Sequence, residues 1–111
     1  MEKRYTLALL IPIVVLVFVA LAMPAHANDA FEAGIEAFER GDYDKALRSF
    51  RKAEEQGVRT PQLRYNLGAT HYRLGNYEQA AEAFRFLAQN PDWRHLAFYN
   101  LGLVAEARGD R

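Results

Sequence analysis

Gly41, Gly75 and Gly109 recur at equal intervals along the chain, inside Arg40-Gly41-Asp42, Leu74-Gly75-Asn76 and Arg108-Gly109-Asp110. A fixed period of this length, about 34 residues, means that the chain repeats one supersecondary unit, and such a unit cannot bury its apolar face alone. A second register agrees, because Tyr65-Asn66-Leu67-Gly68 returns unchanged as Tyr99-Asn100-Leu101-Gly102 at the same interval. Glycine reaches the left-handed conformation that stops a helix, and Asp42 or Asn76 then stands where the next helix needs a cap. Each glycine therefore reads as the turn of a helical hairpin. Apolar spacing between the turns predicts helices near 29–40, 44–56, 62–74, 77–89 and 94–108.

Local patterns support the same reading. Ala30, Ala33, Gly34 and Ala37 form a small-residue stripe at helical spacing, which lets a neighbouring helix come close, and Phe31, Ile35 and Phe38 form an apolar stripe beside it. Asn76 followed by Glu78 and Gln79 reads as a capped helix start with a capping-box partner, and Pro91 marks an exit. The expected fold class is all-α: antiparallel helix-turn-helix repeats stacked as a short α-solenoid, two full units plus the first helix of a third. The units are placed at 28–60, 61–94 and 95–111.

With these residues in place, the chain resembles the tetratricopeptide repeat family over essentially everything after Asn28. The family's Leu-Gly pair, Ala-x3-Phe and closing proline fall at Leu67-Gly68, Ala80 with Phe84, and Pro91 in the middle unit. In the first unit they fall at Ala33-Gly34, Ala46 with Phe50, then Ala53 and Pro61. Ala30, Arg64 and Phe98 occupy the family's tryptophan place, and His71 its tyrosine place, with Tyr72 beside it. The resemblance implies a non-enzymatic interaction module whose first helices line a concave groove for a peptide or partner helix. Carried over by phase, the groove residues are Phe31, Ile35 and Phe38, then Tyr65, Asn66, Ala69, Tyr72 and Arg73, then Tyr99, Asn100 and Leu103. Tyrosine offers contact area with a polar tip, and Asn66 and Asn100 can each bond a ligand backbone in two directions. Only Asn66 matches the carboxylate clamp of one subgroup, with Phe31, Ile35, Leu96 and Asn100 at its other places. The same aromatic stripe equally suits packing against further repeats or another subunit.

Residues 1–27 differ in kind. Lys3 and Arg4 precede an unbroken apolar run from Leu7 to Met23, followed by a small-x-small site at Ala25-His26-Ala27. That is the outline of a secretory signal peptide cleaved after Ala27, or of an uncleaved anchor, since the run exceeds the usual apolar core of about 7–15 residues and approaches a bilayer span. In both cases the basic end stays inside, so residues 28–111 are expected on the periplasmic side of a bacterial inner membrane, with membrane contact only through an uncleaved leader.

Chemistry finds little support. Fourteen basic residues balance fourteen acidic ones, which gives no field for nucleic acid, and the absence of cysteine removes thiol and thiolate-metal chemistry. No histidine has a partner at metal-ligand spacing, Glu32, Glu36 and Glu39 read as a solvated face, and Ser49 has no base nearby. No catalytic, cofactor or metal site is expected. The Arg-Gly-Asp triplet, an adhesion tripeptide elsewhere, is explained at both places by turn chemistry. Two functions stay open: an interaction scaffold of the cell envelope, or the N-terminal repeat segment of a larger envelope protein whose remaining part carries an enzymatic or assembly activity. Phe98, Leu101 and Val104 on the last helix are expected to be short of cover, which favours self-association.

Overall fold

The computed structural model describes residues 28–110; the signal peptide or anchor expected in residues 1–27, with its expected cleavage site, lies outside them. Helix α1 covers residues 28–39. It is followed by α2 (Tyr43–Glu55), α3 (Pro61–Arg73), α4 (Tyr77–Leu87) and α5 (Arg94–Arg108), with no strand among the described residues. The predicted boundaries shift by a residue or two. The largest shift is at α4, which stops at Leu87 because residues 88–93 form a run of turns before α5.

The three glycine turns are built alike. Gly41, Gly75 and Gly109 have φ of 79°, 77° and 82°. In each, the glycine N–H bonds three residues back and the next N–H five back: Gly41 to Phe38 and Asp42 to Ala37, Gly75 to Tyr72 and Asn76 to His71, Gly109 to Glu106 and Asp110 to Ala105. This paired closure satisfies the last carbonyls of the helix and reverses the chain.

The cap after the turn differs between hairpins. Asp42 caps α2 as expected, its Oδ1 accepting from the Lys45 N–H at 3.2 Å. Asn76 does not cap α4 with its side chain; instead its Nδ2 lies 3.3 Å from His71 Nδ1. The capping box read at Asn76, Glu78 and Gln79 is thus corrected, because the amide is drawn back to a buried imidazole on α3. Thr60 caps α3 through Leu63 N–H, with Pro61 at the first helical position, where no donor is needed.

One lock holds each hairpin. In the first, the Phe50 ring occupies the space a Cβ on Gly34 would need, with ring carbons 2.5 Å from that point, and Phe31 packs on the ring at 5.8 Å between centroids. In the second, Phe84 does the same over Gly68 at 2.8 Å, with Tyr65 at 6.0 Å. Both phenylalanines are essentially fully buried. Truncating such a ring costs about 3–5 kcal/mol, so these two residues anchor the hairpins. Around them sit two clusters, one from Ala30, Ala37, Ala46, Ala53, Leu63 and Leu67, the other from Ala80, Ala81, Leu87, Ala97 and Val104.

Helix α4 lies between α3 and α5, packing on both, and α2 packs on α3. That placement corrects one expectation for the last helix: Val104 is 1 % exposed, buried in the α4 cluster, and Leu101 is partly covered there. Phe98 does stand out, at 58 %. No described helix is long and apolar enough to cross a membrane.

Candidate functional site

The groove forms on the face made by α1, α3 and α5, the first helices of the successive units. A hollow of about 220 Å³ is lined by Phe38, Tyr65, Asn66, Ala69, Tyr72, Arg73, Asn100 and Leu103. Neither α2 nor α4 contributes to it. All eight are residues that the repeat phase assigned to the groove, and no other described residue lines it.

Three assigned residues are elsewhere. Phe31 and Ile35 pack against the first cluster, with Phe31 on the Phe50 ring, and Tyr99 is 66 % exposed on α5. Ile35 shares the phase of Ala69 and Leu103, which do line the hollow, but is itself packed on the first cluster; for Phe31 and Tyr99 the reason is geometric. Positions 31, 65 and 99 share one phase, and at that phase the side chain turns toward the second helix of its hairpin, as Phe31 does to Phe50 and Tyr65 to Phe84. Tyr65 reaches both surfaces: its ring lies 6.0 Å from each of the Phe84 and Trp93 rings, and it also lines the hollow.

The lining is held by ordinary packing. Tyr72 leans on Tyr77 at 6.0 Å, and Phe38 meets Tyr43 edge-on at 5.2 Å. The Arg73 guanidinium, the one charged residue among those lining the groove, lies over the Tyr43 ring of α2 at 5.9 Å. Asn66 and Asn100 behave as a repeated pair: Asn66 Nδ2 donates to the Gln62 carbonyl at 2.9 Å, and Asn100 Nδ2 donates to the Leu96 carbonyl at 2.7 Å. One N–H of each amide is therefore tied to its own helix. Toward a ligand each presents Oδ1 and the remaining N–H, a narrower offer than a free amide makes.

The opposite face is more polar. A second hollow there is lined by residues including Arg51, Glu54, Arg64, His71, Glu82 and Phe86, and Arg64 sits over the Phe86 ring at 4.6 Å while pairing with Glu54 at 3.6 Å. His71 lies at its base, almost buried; burial, and then the nearby Arg51 charge, push its pKa below the ordinary 6.5. A neutral, buried imidazole next to Asn76 is a packing group here. Among the described residues no three metal-binding side chains gather, and the Glu32, Glu36 and Glu39 run on α1 is exposed. Asp110 pairs with Arg108, which also reaches Glu78 on α4 at 2.8 Å, so the second Arg-Gly-Asp triplet fastens its own turn.

Comparison with known proteins decides the family. The tetratricopeptide repeat signature matches residues 31–92, more than half of the chain. The chain belongs to the tetratricopeptide repeat family. The match runs from Phe31, inside α1, through the second hairpin and ends at the approach to α5, which carries the period onward in Tyr99-Asn100-Leu101-Gly102. No curated protein matches the chain. Tetratricopeptide repeats are protein–protein interaction scaffolds and as a rule are not catalytic, which is the coarse function of this domain.

Proposed function

We propose that this tetratricopeptide repeat domain is a non-enzymatic scaffold of the cell envelope that holds a peptide or partner helix in the α1–α3–α5 groove. The observation that carries the reading is the convergence of eight side chains from three first helices on one hollow. Its aromatic walls, paired amides and single cation suit a polypeptide with bulky side chains and a backbone to bond. The groove residues in this proposal are Phe38, Tyr65, Asn66, Ala69, Tyr72, Arg73, Asn100 and Leu103; Phe31, Ile35 and Tyr99 support the hairpins or stand outside the hollow.

The envelope setting rests on the leader. Lys3 and Arg4 before the Leu7–Met23 run, and the acidic Asp29, Glu32 and Glu36 after it, favour delivery of the domain beginning near Asn28 to the periplasmic side, by cleavage after Ala27 or with the leader kept as an anchor.

The test uses Asn66→Ala/Arg73→Ala/Asn100→Ala, three changes on the groove rim that leave both Phe locks alone. Affinity capture from envelope extract with wild type and the triple variant should recover a protein that the variant loses. Equal recovery by both would remove the groove from the account. Mass analysis of the mature N-terminus decides the setting separately: a start at Asn28 or an intact membrane-held chain fits, and a full-length chain confined to the cytoplasm does not.

A further inference from the structure

The connection between α2 and α3 and the end of α4 enclose a hollow of about 220 Å³ that shares no residue with the groove. Its apolar lining is Val58, Pro61, Leu63, Phe86 and Leu87. Leu63 and Leu87 are buried, whereas the Phe86 ring is exposed. A bare inorganic anion would leave these surfaces in water, so the hollow suits an occupant with an apolar body.

The polar lining is one-sided. Arg59, Thr60, Arg64 and Asn90 complete the hollow, and no carboxylate is among them. The side-chain acceptors are in use: Thr60 Oγ1 accepts from the Leu63 N–H at 3.3 Å, and Asn90 Oδ1 accepts from the Asp92 N–H at 3.0 Å. The donors are not. Arg59 is pinned through Nη1, which donates to the Glu54 carbonyl and, at 2.9 Å, to the Val58 carbonyl; its Nε and Nη2 have no acceptor among the described residues. Arg64 stands 3.6 Å from Glu54, beyond hydrogen-bond length, with its guanidinium over the Phe86 ring at 4.6 Å. Asn90 Nδ2 likewise has no acceptor among the described residues. Two held cations and an amide beside an apolar floor match a carboxylate on an apolar body.

From this chemistry we propose that the hollow binds a small apolar monocarboxylate without an amine, an aromatic or branched-chain acid. Its carboxylate lies on Arg59 and Arg64, and its hydrocarbon on Leu63, Leu87 and Phe86. Size sets the class. A dry apolar cavity of about 150 Å³ takes a benzene ring, so this hollow holds one ring or short branched chain with its carboxylate, and a lipid tail overflows it. Charge narrows it further, because the ammonium of a free amino acid would meet two guanidiniums and no carboxylate in the lining. The last residue of a polypeptide fits less well, since its amide N–H finds both side-chain acceptors engaged. The site does not depend on the groove.

The probe is phenylpropanoate, titrated into the isotope-labelled full chain and followed by nuclear magnetic resonance. Saturable shifts are expected at the Val58, Leu63 and Leu87 amides and at the Asn90 side-chain amide, with a dissociation constant on the order of 1 mM for about eleven non-hydrogen atoms. Arg59→Gln and Arg64→Gln should each weaken binding roughly tenfold, and so should replacing the probe by neutral phenylpropanol or by phenylalanine. Asn66→Ala should leave binding unchanged. Five results overturn the proposal: no saturable shifts at the hollow; equal binding of phenylpropanol, which reduces the site to a ring pocket; binding unmoved by both arginine substitutions; tighter binding of decanoate, which makes a lipid chain the occupant; or tighter binding of N-acetylphenylalanine, which makes a polypeptide C-terminus the occupant. A groove that captures no protein, with probe binding intact, would sink the preceding proposal and leave this one standing.

Discussion

Glycine inside a helix costs about 0.5–1 kcal/mol relative to alanine, so each interior glycine needs a physical reason. Gly34 and Gly68 have one, since the Phe50 and Phe84 rings lie where their Cβ atoms would be. Gly102 has none within the described chain. Gly68→Ala is therefore expected to destabilise the fold by about 1–3 kcal/mol, because a fully buried ring has nowhere to move. Gly102→Ala should instead gain up to about 1 kcal/mol from helix propensity. Denaturant titration of the two variants separates the cases; equal effects would mean that the rings do not lock the hairpins. His71 supplies a second residue-scale test. Its folded pKa lies below the unfolded value near 6.5, through burial and then Arg51, so the unfolded state takes up the proton first. The resulting contribution is present above about pH 6.5 and is lost as pH falls toward the folded pKa. Thermal midpoints of wild type should thus drop below pH 6.5 more steeply than those of His71→Gln. Parallel curves would contradict the buried neutral imidazole.

At the scale of the element, helix existence and order were legible in the sequence because the period repeats the turn signal three times. The ends were less legible. Asp42 and Asn76 occupy the same phase and both read as caps, yet only the Asp42 side chain bonds a backbone N–H. Asn76 turns to His71 because that histidine, one period beyond Ala37, brings a buried acceptor within reach. A pair across a hairpin turn does not show in local spacing. Likewise α4 stops early because Asn90 caps its own loop, Oδ1 accepting from the Asp92 N–H at 3.0 Å, and Arg94 reaches back to the Ala88 carbonyl at 3.1 Å. Asp42→Ala should cost about 1 kcal/mol by loss of the cap. Asn76→Ala should leave α4 capping unchanged while shifting the His71 titration. Nuclear magnetic resonance of the His71 ring in the Asn76 variant checks this, and an unmoved titration would show that the Asn76 contact is not formed.

For the whole molecule, phase assigns eleven residues to the groove and eight of them meet there, because a solenoid repeats its faces as well as its turns. Phase does not say which first-helix positions turn to the groove and which to the hairpin partner. Phe31 and Tyr99 share the phase of Tyr65, and only in three dimensions does that phase prove to be the lock face, with Tyr65 alone of the three also lining the hollow. Val104 departs from expectation for a related reason: the sequence pairs each helix with its hairpin partner, whereas α5 is buried by the preceding hairpin's α4. The central claim is that the α1–α3–α5 hollow receives a polypeptide. The most direct measurement places a photo-crosslinking amino acid at Arg73, on the groove, and separately at Glu82, on the opposite face, in cells that express the full chain. The account predicts a discrete protein adduct at position 73 that Asn66→Ala/Asn100→Ala abolishes, with no such adduct at position 82. An adduct at position 82 alone, or one at position 73 untouched by those substitutions, would contradict it.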